Sequence, residues 1–217
     1  MKKFIVLFCC MWMMLGTVNA QSDAGYVLFD LSFDDENLSR EERAVLPDKS
    51  EMWFKGDFLR MKLPMGMGIE SEVLVTKKES YLLLDIMGNK MAMKSSASEA
   101  NKRKSDLGAL KLKSLSDETR IIAGLPCKRA DMVNAKDGTT TTVWYTDQLA
   151  AAGSWYFQME GLKGVPLEFS IDLNGMEVRM KAREVRTESP PDKLFELPEG
   201  YNVMTQQEMM QRMGGSR

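Results

Sequence analysis

Leu167-Glu168-Phe169-Ser170-Ile171-Asp172-Leu173-Asn174-Gly175-Met176-Glu177-Val178-Arg179-Met180-Lys181-Ala182 is a hairpin written in alternating residues. Leu167, Phe169, Ile171 and Leu173 fall on one face, and strict period two is the signature of a half-buried strand. Asn174-Gly175 supplies the two positive backbone angles of a type I′ turn. Met176, Val178, Met180 and Ala182 then return on the same face. One side is therefore core and the other wet. On the wet side this register sets Glu168 opposite Lys181, and Asp172 opposite Glu177, a like-charge pair that mildly opposes it.

The same rule organises the rest of the chain. Tyr26 to Phe33 reads as a first strand, and Met52 to Phe54 and Phe58 to Leu63 flank a tight turn at Lys55-Gly56-Asp57. Ile69 to Thr76 and Tyr81 to Met87 continue the sheet, with Gly88-Asn89 turning into Met91 to Lys94. Arg120 to Ile122, Cys127 to Val133 and Thr140 to Thr146 supply later strands. Leu82, Leu83 and Leu84 are apolar on both faces, so something must pack over each side of that strand.

Helix signals are few. Ser39-Arg40-Glu41-Glu42 and Thr205-Gln206-Gln207-Glu208 are capping boxes, the second flanked by Met204 and Met209 as a hydrophobic staple. They predict a short helix before Pro47 and a C-terminal helix over 205–214. Ser95 to Leu110, basic at Lys102-Arg103-Lys104, reads as a mobile loop. Pro166, Pro190, Pro191 and Pro198 read as turn and strand-end punctuation, and Gly200-Tyr201 as the end of the last extended segment.

Residues 1–20 read as a secretory signal peptide: Lys2 and Lys3, an apolar run from Phe4 to Leu15, then small residues closing at Ala20. Cys9 and Cys10 lie inside that apolar run, not at a lipid-anchoring position. Residues 21–217 are then one exported domain, periplasmic or secreted, and no later apolar stretch reaches membrane-spanning length. Cleavage leaves 27 basic and 31 acidic side chains, a net charge of about −4, which argues against nucleic acid as a partner. It also leaves a single cysteine, Cys127, so no internal disulfide can form.

The chain has no histidine. Ser-His-Asp and Cys-His nucleophiles and His-ligated zinc are thereby excluded. Catalysis would fall to carboxylates, Lys, Tyr or the one thiol, and no pair of acids stands out for a hydrolase. Cys127 has Lys128 and Arg129 beside it, but a strand turns Lys128 to the other face, and a buried inert thiol is the simpler reading. Asp34-Asp35-Glu36 lacks the spaced alternation of a calcium loop and reads as a solvated turn. Fifteen of the 19 methionines lie beyond residue 20. Met65-Gly66-Met67 and Met91-Ala92-Met93 space thioethers for monovalent copper, yet core filling, or a pocket adapting to varied apolar guests, explains them with less. No cofactor is implied.

A domain of many strands with two-sided leucines is expected to be mainly β (α+β): a strongly curved antiparallel sheet or half-open barrel, with a few short helices on its concave side and a cavity between. The segments Ile122-Ala123-Gly124-Leu125-Pro126-Cys127-Lys128, Val143-Trp144-Tyr145-Thr146, Gly164-Val165-Pro166-Leu167-Glu168 and Leu194-Phe195-Glu196-Leu197-Pro198-Glu199-Gly200-Tyr201 stand in an order that resembles the exported family called domain of unknown function 4412. Gly161 to Pro166 also resembles the exported family nicknamed for a Gly-Leu-Pro-Gly-Leu-Ile motif, from which Lys163, Val165 and the position of Pro166 depart. The first family looks related in fold to the periplasmic lipoprotein carriers, whose half-open barrel holds acyl chains.

These readings converge on a non-enzymatic binding or carrier protein for an apolar or amphipathic ligand such as a lipid. Leu82, Leu84, Met91, Met93, Trp144, Trp155, Phe169 and Met180 are the residues expected to line its pocket, with Trp53, Tyr145 and Tyr156 as core or rim aromatics. The alternative is an envelope module that offers an open sheet edge, or the helix of Gln206 to Met213, to another protein.

Overall fold

The computed structural model describes residues 21–33, 38–63, 65, 68–96, 99, 110–150, 159–173, 176–205, 207, 208 and 211. The signal peptide, Asp34-Asp35-Glu36, Met67, the Asn174-Gly175 turn, Trp155, Tyr156 and most of 97–109 lie outside them. Thirteen strands form one sheet. The first six are β1 (Ala24–Phe33), β2 (Lys49–Lys55), β3 (Phe58–Leu63), β4 (Ile69–Val75), β5 (Glu79–Ile86) and β6 (Asn89–Ser96). The others are β7 (Leu110–Ile122), β8 (Leu125–Asn134), β9 (Thr140–Thr146), β10 (Met159–Glu160), β11 (Val165–Leu173), β12 (Met176–Arg186) and β13 (Asn202–Thr205).

Two antiparallel meanders, β1 to β6 and β7-β8-β9-β11-β12, are sewn together where β1 pairs with β12. The hairpin read from the sequence has the expected register: Glu168 faces Lys181, Phe169 faces Met180, and Asp172 faces Glu177. The short strands β10 and β13 each add in parallel, β10 to Leu110 and Lys111 of β7 and β13 to Met91 through Lys94 of β6, and form the two ends of the sheet. Short terminal strands of this kind limit edge-to-edge association.

The mainly β expectation holds, but the half-open barrel does not. The sheet neither closes nor curls strongly. Strong curvature needs bulges or glycine kinks at corners, and β2 to β6 pair in succession without a register shift. Nor, among the described residues, do helices line a concave side. The short helix α1 (Arg40–Ala44) buries no residue, and what fixes it is the predicted capping box: Glu42 N donates to Ser39 Oγ at 3.1 Å and Ser39 N to Glu42 Oε2 at 2.9 Å.

Other expectations shift by a residue or more. The β5–β6 turn is Met87-Gly88, both with positive φ, not Gly88-Asn89. Ser95 and Ser96 belong to β6 and Leu110 opens a 13-residue β7, so the expected loop is shorter at both ends. A capping box missed in the sequence, Ser96-Ala97-Ser98-Glu99, closes β6: Ser96 N donates to Glu99 Oε2 at 2.7 Å and Glu99 N to Ser96 Oγ at 3.3 Å. The chain stays extended past Tyr201 through β13, after which Thr205 and Glu208 form the second predicted box and Gln207, Glu208 and Gln211 are helical.

Two cores result. The larger one lies on one face of the sheet and holds Val27, Phe29, Met52, Phe54, Leu167 and Phe169, among others, with the Phe29 and Phe169 rings edge to face at 5.8 Å. The smaller one, on the opposite face, joins Leu74, Leu83 and Ala92 to Phe195. Phe195 arrives on a 3-10 turn, Asp192–Phe195, pinned by Lys55 to Asp192 (2.6 Å) and by Arg60 Nη1 donating to the Leu194 carbonyl (3.1 Å). The cover required over Leu83 is this turn. Where β11 enters beside β9, Gly164 has φ 137°, and a Cβ there would lie 2.2 Å from the Thr146 carbonyl oxygen, so only glycine fits.

Candidate functional site

The apolar pocket residues separate into three places. Leu82 pairs with Met93 and Leu84 with Met91 across β5 and β6, so four apolar side chains form a two-by-two patch on the face of the larger core. All four are only half-buried. Buried Met204 of β13 borders the patch beside Met93. The result is an apolar shelf at one end of the sheet, its reverse side sealed by Leu83, Ala92 and Phe195.

Phe169 and Met180 are elsewhere. They face each other across β11 and β12 and are 2% and 0% exposed; Met180 is core, while Phe169 also reaches the wall of an open groove of about 530 Å³ that Trp144 lines from the other face. Five strand spacings separate β12 from β5, roughly 24 Å, too far for one small ligand to touch both groups. Hairpin alternation alone cannot tell an inner wall from a packed interior, because both are apolar on one face. Trp155 lies outside the described residues.

Trp144 sits on the opposite, wet face, opposite Glu168. The guanidinium of Arg120 stacks 3.9 Å from the centre of its ring. That guanidinium also forms an ion pair with Glu168 Oε2, while Arg179 Nη2 donates to Glu168 Oε1 at 2.6 Å and Lys181 Nζ lies 3.7 Å from Oε2. Glu168 is a buried carboxylate, its side chain 4% exposed, held by three cations. Burial pushes its carboxyl up, but the guanidinium groups of Arg120 and Arg179 outweigh burial and hold it below the usual glutamate range. Of this cluster the hairpin register makes Lys181 and the diagonal neighbour Arg179 readable in advance. Arg120 comes from a strand three places away in the sheet, and no local signal points to it.

Cys127 is fully buried, and its Sγ lies 3.6 Å from the Leu125 carbonyl oxygen. Burial pushes the thiol up to about 11. We expect no labelling by an aromatic disulfide reagent at pH 8 in the native protein, and one equivalent after denaturation in guanidinium; rapid native labelling would contradict a thiol held protonated in the core. Among the described residues no three acidic or cysteine side chains gather as a metal site. Of the methionine pairs, Met91 and Met93 face leucines, and Met65 is exposed.

No family model matches the chain, so the resemblance to domain of unknown function 4412 has no matching model behind it, and no curated protein matches either. Solved structures do. PNGF-II, in a P21 crystal form, aligns with a TM-score of 0.50 and 13% identity, over 90% of this chain and 34% of that one. LprF from Mycobacterium bovis aligns with a TM-score of 0.30 and 14% identity, over 76% of this chain and 85% of that one. The chain spans about a third of the length of PNGF-II, and identities this low speak of the fold alone. The class defined by fold and site is thus an open β-sheet protein with short end strands, an apolar shelf on one face and a buried charge cluster on the other. Among the described residues no helix is long and apolar enough to cross a membrane.

Proposed function

We propose that this is an exported, non-enzymatic binding or carrier protein that takes an apolar or amphipathic ligand, such as a lipid chain, against the shelf of Leu82, Leu84, Met91 and Met93. The observation that carries this reading is a contiguous patch of four half-buried apolar side chains on a strand pair whose other face is already sealed. Half-exposed leucine and methionine, packed side by side, retain apolar surface that a ligand can remove from water, at about 25 cal/mol per Å². Two of the four are methionines, whose flexible thioethers adapt to chains of differing shape. The periplasm or the extracellular space is the compartment in this reading, following the signal-peptide pattern of residues 1–20.

The test is displacement of a fluorescent fatty acid, cis-parinaric acid, from the purified protein. Replacing Leu84 and Met91 together by lysine is expected to weaken probe binding at least about tenfold, since two charges then border the acyl chain. The thermal midpoint should move by only a few degrees, because neither side chain is fully buried. Equal binding by the variant and the parent would overturn the shelf as the ligand site. The runner-up, an envelope interaction module, would offer an open sheet edge or the helix of Gln206 to Met213; the edge strands are β10 and β13, and most of that helix lies outside the described residues.

A further inference from the structure

The open groove of about 530 Å³ lies among β9, β11, β12 and the last residues of β1. Its walls differ in chemistry. Phe33 and Phe169 bring apolar surface from the face of the larger core, as their pairing with Val178 and Met180 requires, and Trp144 brings an aromatic ring from the wet face. Arg120, stacked 3.9 Å from the centre of that ring, stands outside the groove, so it holds one side of the indole while the groove meets another. A ring held in this way keeps its orientation when a ligand arrives.

Thr140 and Thr142 alternate onto the face of Trp144, and both are exposed. Their hydroxyls are polarised in opposite senses. Lys113 Nζ donates to Thr140 Oγ1 at 3.3 Å, so Thr140 acts toward a ligand through its own proton. Thr142 Oγ1 donates to Asp131 Oδ1 at 3.1 Å, so it acts through its lone pairs. One donor and one acceptor therefore stand two residues apart beside the ring. On the opposite wall Ser170 lies across from Arg179, and Glu177 precedes Arg179 on the same face as a carboxylate acceptor. Charges around the groove nearly cancel: Arg120, Arg179 and Lys181 gather on Glu168, Glu177 adds a second carboxylate, and Lys113 and Asp131 oppose each other at the threonines.

A matching ligand is neutral, carries hydroxyls that both donate and accept, and has an apolar face to lay on a ring. We infer that the groove binds a neutral saccharide of one or two pyranose rings, with a sugar face against Trp144 and its hydroxyls bonded to Thr140 and Thr142. The C–H groups of a pyranose face are weakly positive and suit the negative face of an indole. The groove volume falls in the usual range for a small-ligand site. No residue of this site belongs to the apolar shelf, and neither reading depends on the other.

Amide and indole NMR shifts of the full chain test it, with millimolar cellobiose as probe; its equatorial hydroxyls leave the faces of both rings apolar. The Trp144 indole and the amides of Thr140 to Thr142 should shift saturably, with β5 and β6 unmoved. Replacing both threonines by valine (Thr140→Val with Thr142→Val) keeps their shape, removes both hydroxyls and should weaken binding about tenfold. The thermal midpoint should hold, since both positions are exposed. Glu177→Gln, a second exposed position, should weaken binding about threefold and decides the matter if the valine variant fails to fold. Absence of a saturable shift, or parental affinity in the variants, would overturn the inference. So would an equal response to sorbitol, which has hydroxyls but no ring face. A stronger response of the same residues to inorganic phosphate would overturn it by assigning the groove to an anion, and a stronger response to cis-parinaric acid by assigning it to an acyl chain.

Discussion

Truncating Phe169 to alanine is expected to lower unfolding free energy by about 3–5 kcal/mol, the usual cost of removing a large aromatic from a packed interior. Phe169 is 2% exposed, meets Phe29 edge to face at 5.8 Å and stands across from fully buried Met180. The cavity left behind is bounded by two paired strands that cannot collapse into it without breaking the ladder. Urea denaturation followed by tryptophan fluorescence measures the loss. The same variant separates core from shelf: cis-parinaric acid affinity should be unchanged under conditions where the variant stays folded, since six strand spacings, roughly 29 Å, separate β11 from the shelf at β5–β6. A variant of parental stability that no longer binds the probe would mean that Phe169 lines a ligand cavity after all.

Glu168→Leu is expected to cost about 2–3 kcal/mol. Removing one partner of a buried ion pair costs roughly 3–5 kcal/mol where the remaining charge stays buried. Here Arg179 and Lys181 are 60% and 61% exposed and can relax into water, so the loss falls chiefly on Arg120, 34% exposed and stacked on Trp144. The pH dependence has a definite sign. The folded carboxyl is held below its ordinary value, so its stabilisation is fully present above the ordinary glutamate pKa of about 4.3 and drains away as pH falls through the lower folded value. The parent's urea midpoint should therefore drop more steeply than that of Glu168→Leu below about pH 4.3. Parallel acid profiles for the two proteins would show that the three cations contribute nothing at this carboxylate.

Both effects come from residues whose chemical type was plain in the chain but whose surroundings were not. Glu168 reads in the hairpin as a wet-face partner of Lys181, and it does face Lys181. Its burial arises because Arg120 reaches it from β7 and because the strand bulges between Pro166 and Glu168, a proline position where no ladder hydrogen bond can be donated. Phe169 and Met180 read equally well as pocket or core, and only the packing from neighbouring strands distinguishes the two. Trp144 reads as an aromatic able to line a lipid groove, whereas strand alternation relative to Val143 and Tyr145 puts it on the charged face.

Period-two alternation, turn glycines and capping boxes were enough to locate most strands of the sheet, the register of the β11–β12 hairpin and the starts of α1 and the C-terminal helical turn, since each depends on residues within a few positions of one another. The demand for cover on both faces of Leu82 to Leu84 was local too, but it is met in full only over Leu83, while Leu82 and Leu84 stay half-exposed. What the tertiary structure alone settled is which strands become neighbours: β12 beside β1, edge strands added in parallel, Phe195 laid over Leu83, and Arg120 brought to Glu168. Those contacts join residues far apart in the chain, where alternation says which face a side chain takes but not what it will meet there. The sheet's openness belongs to the same category, because curvature is set by the sum of register shifts over many strands and no single segment carries it.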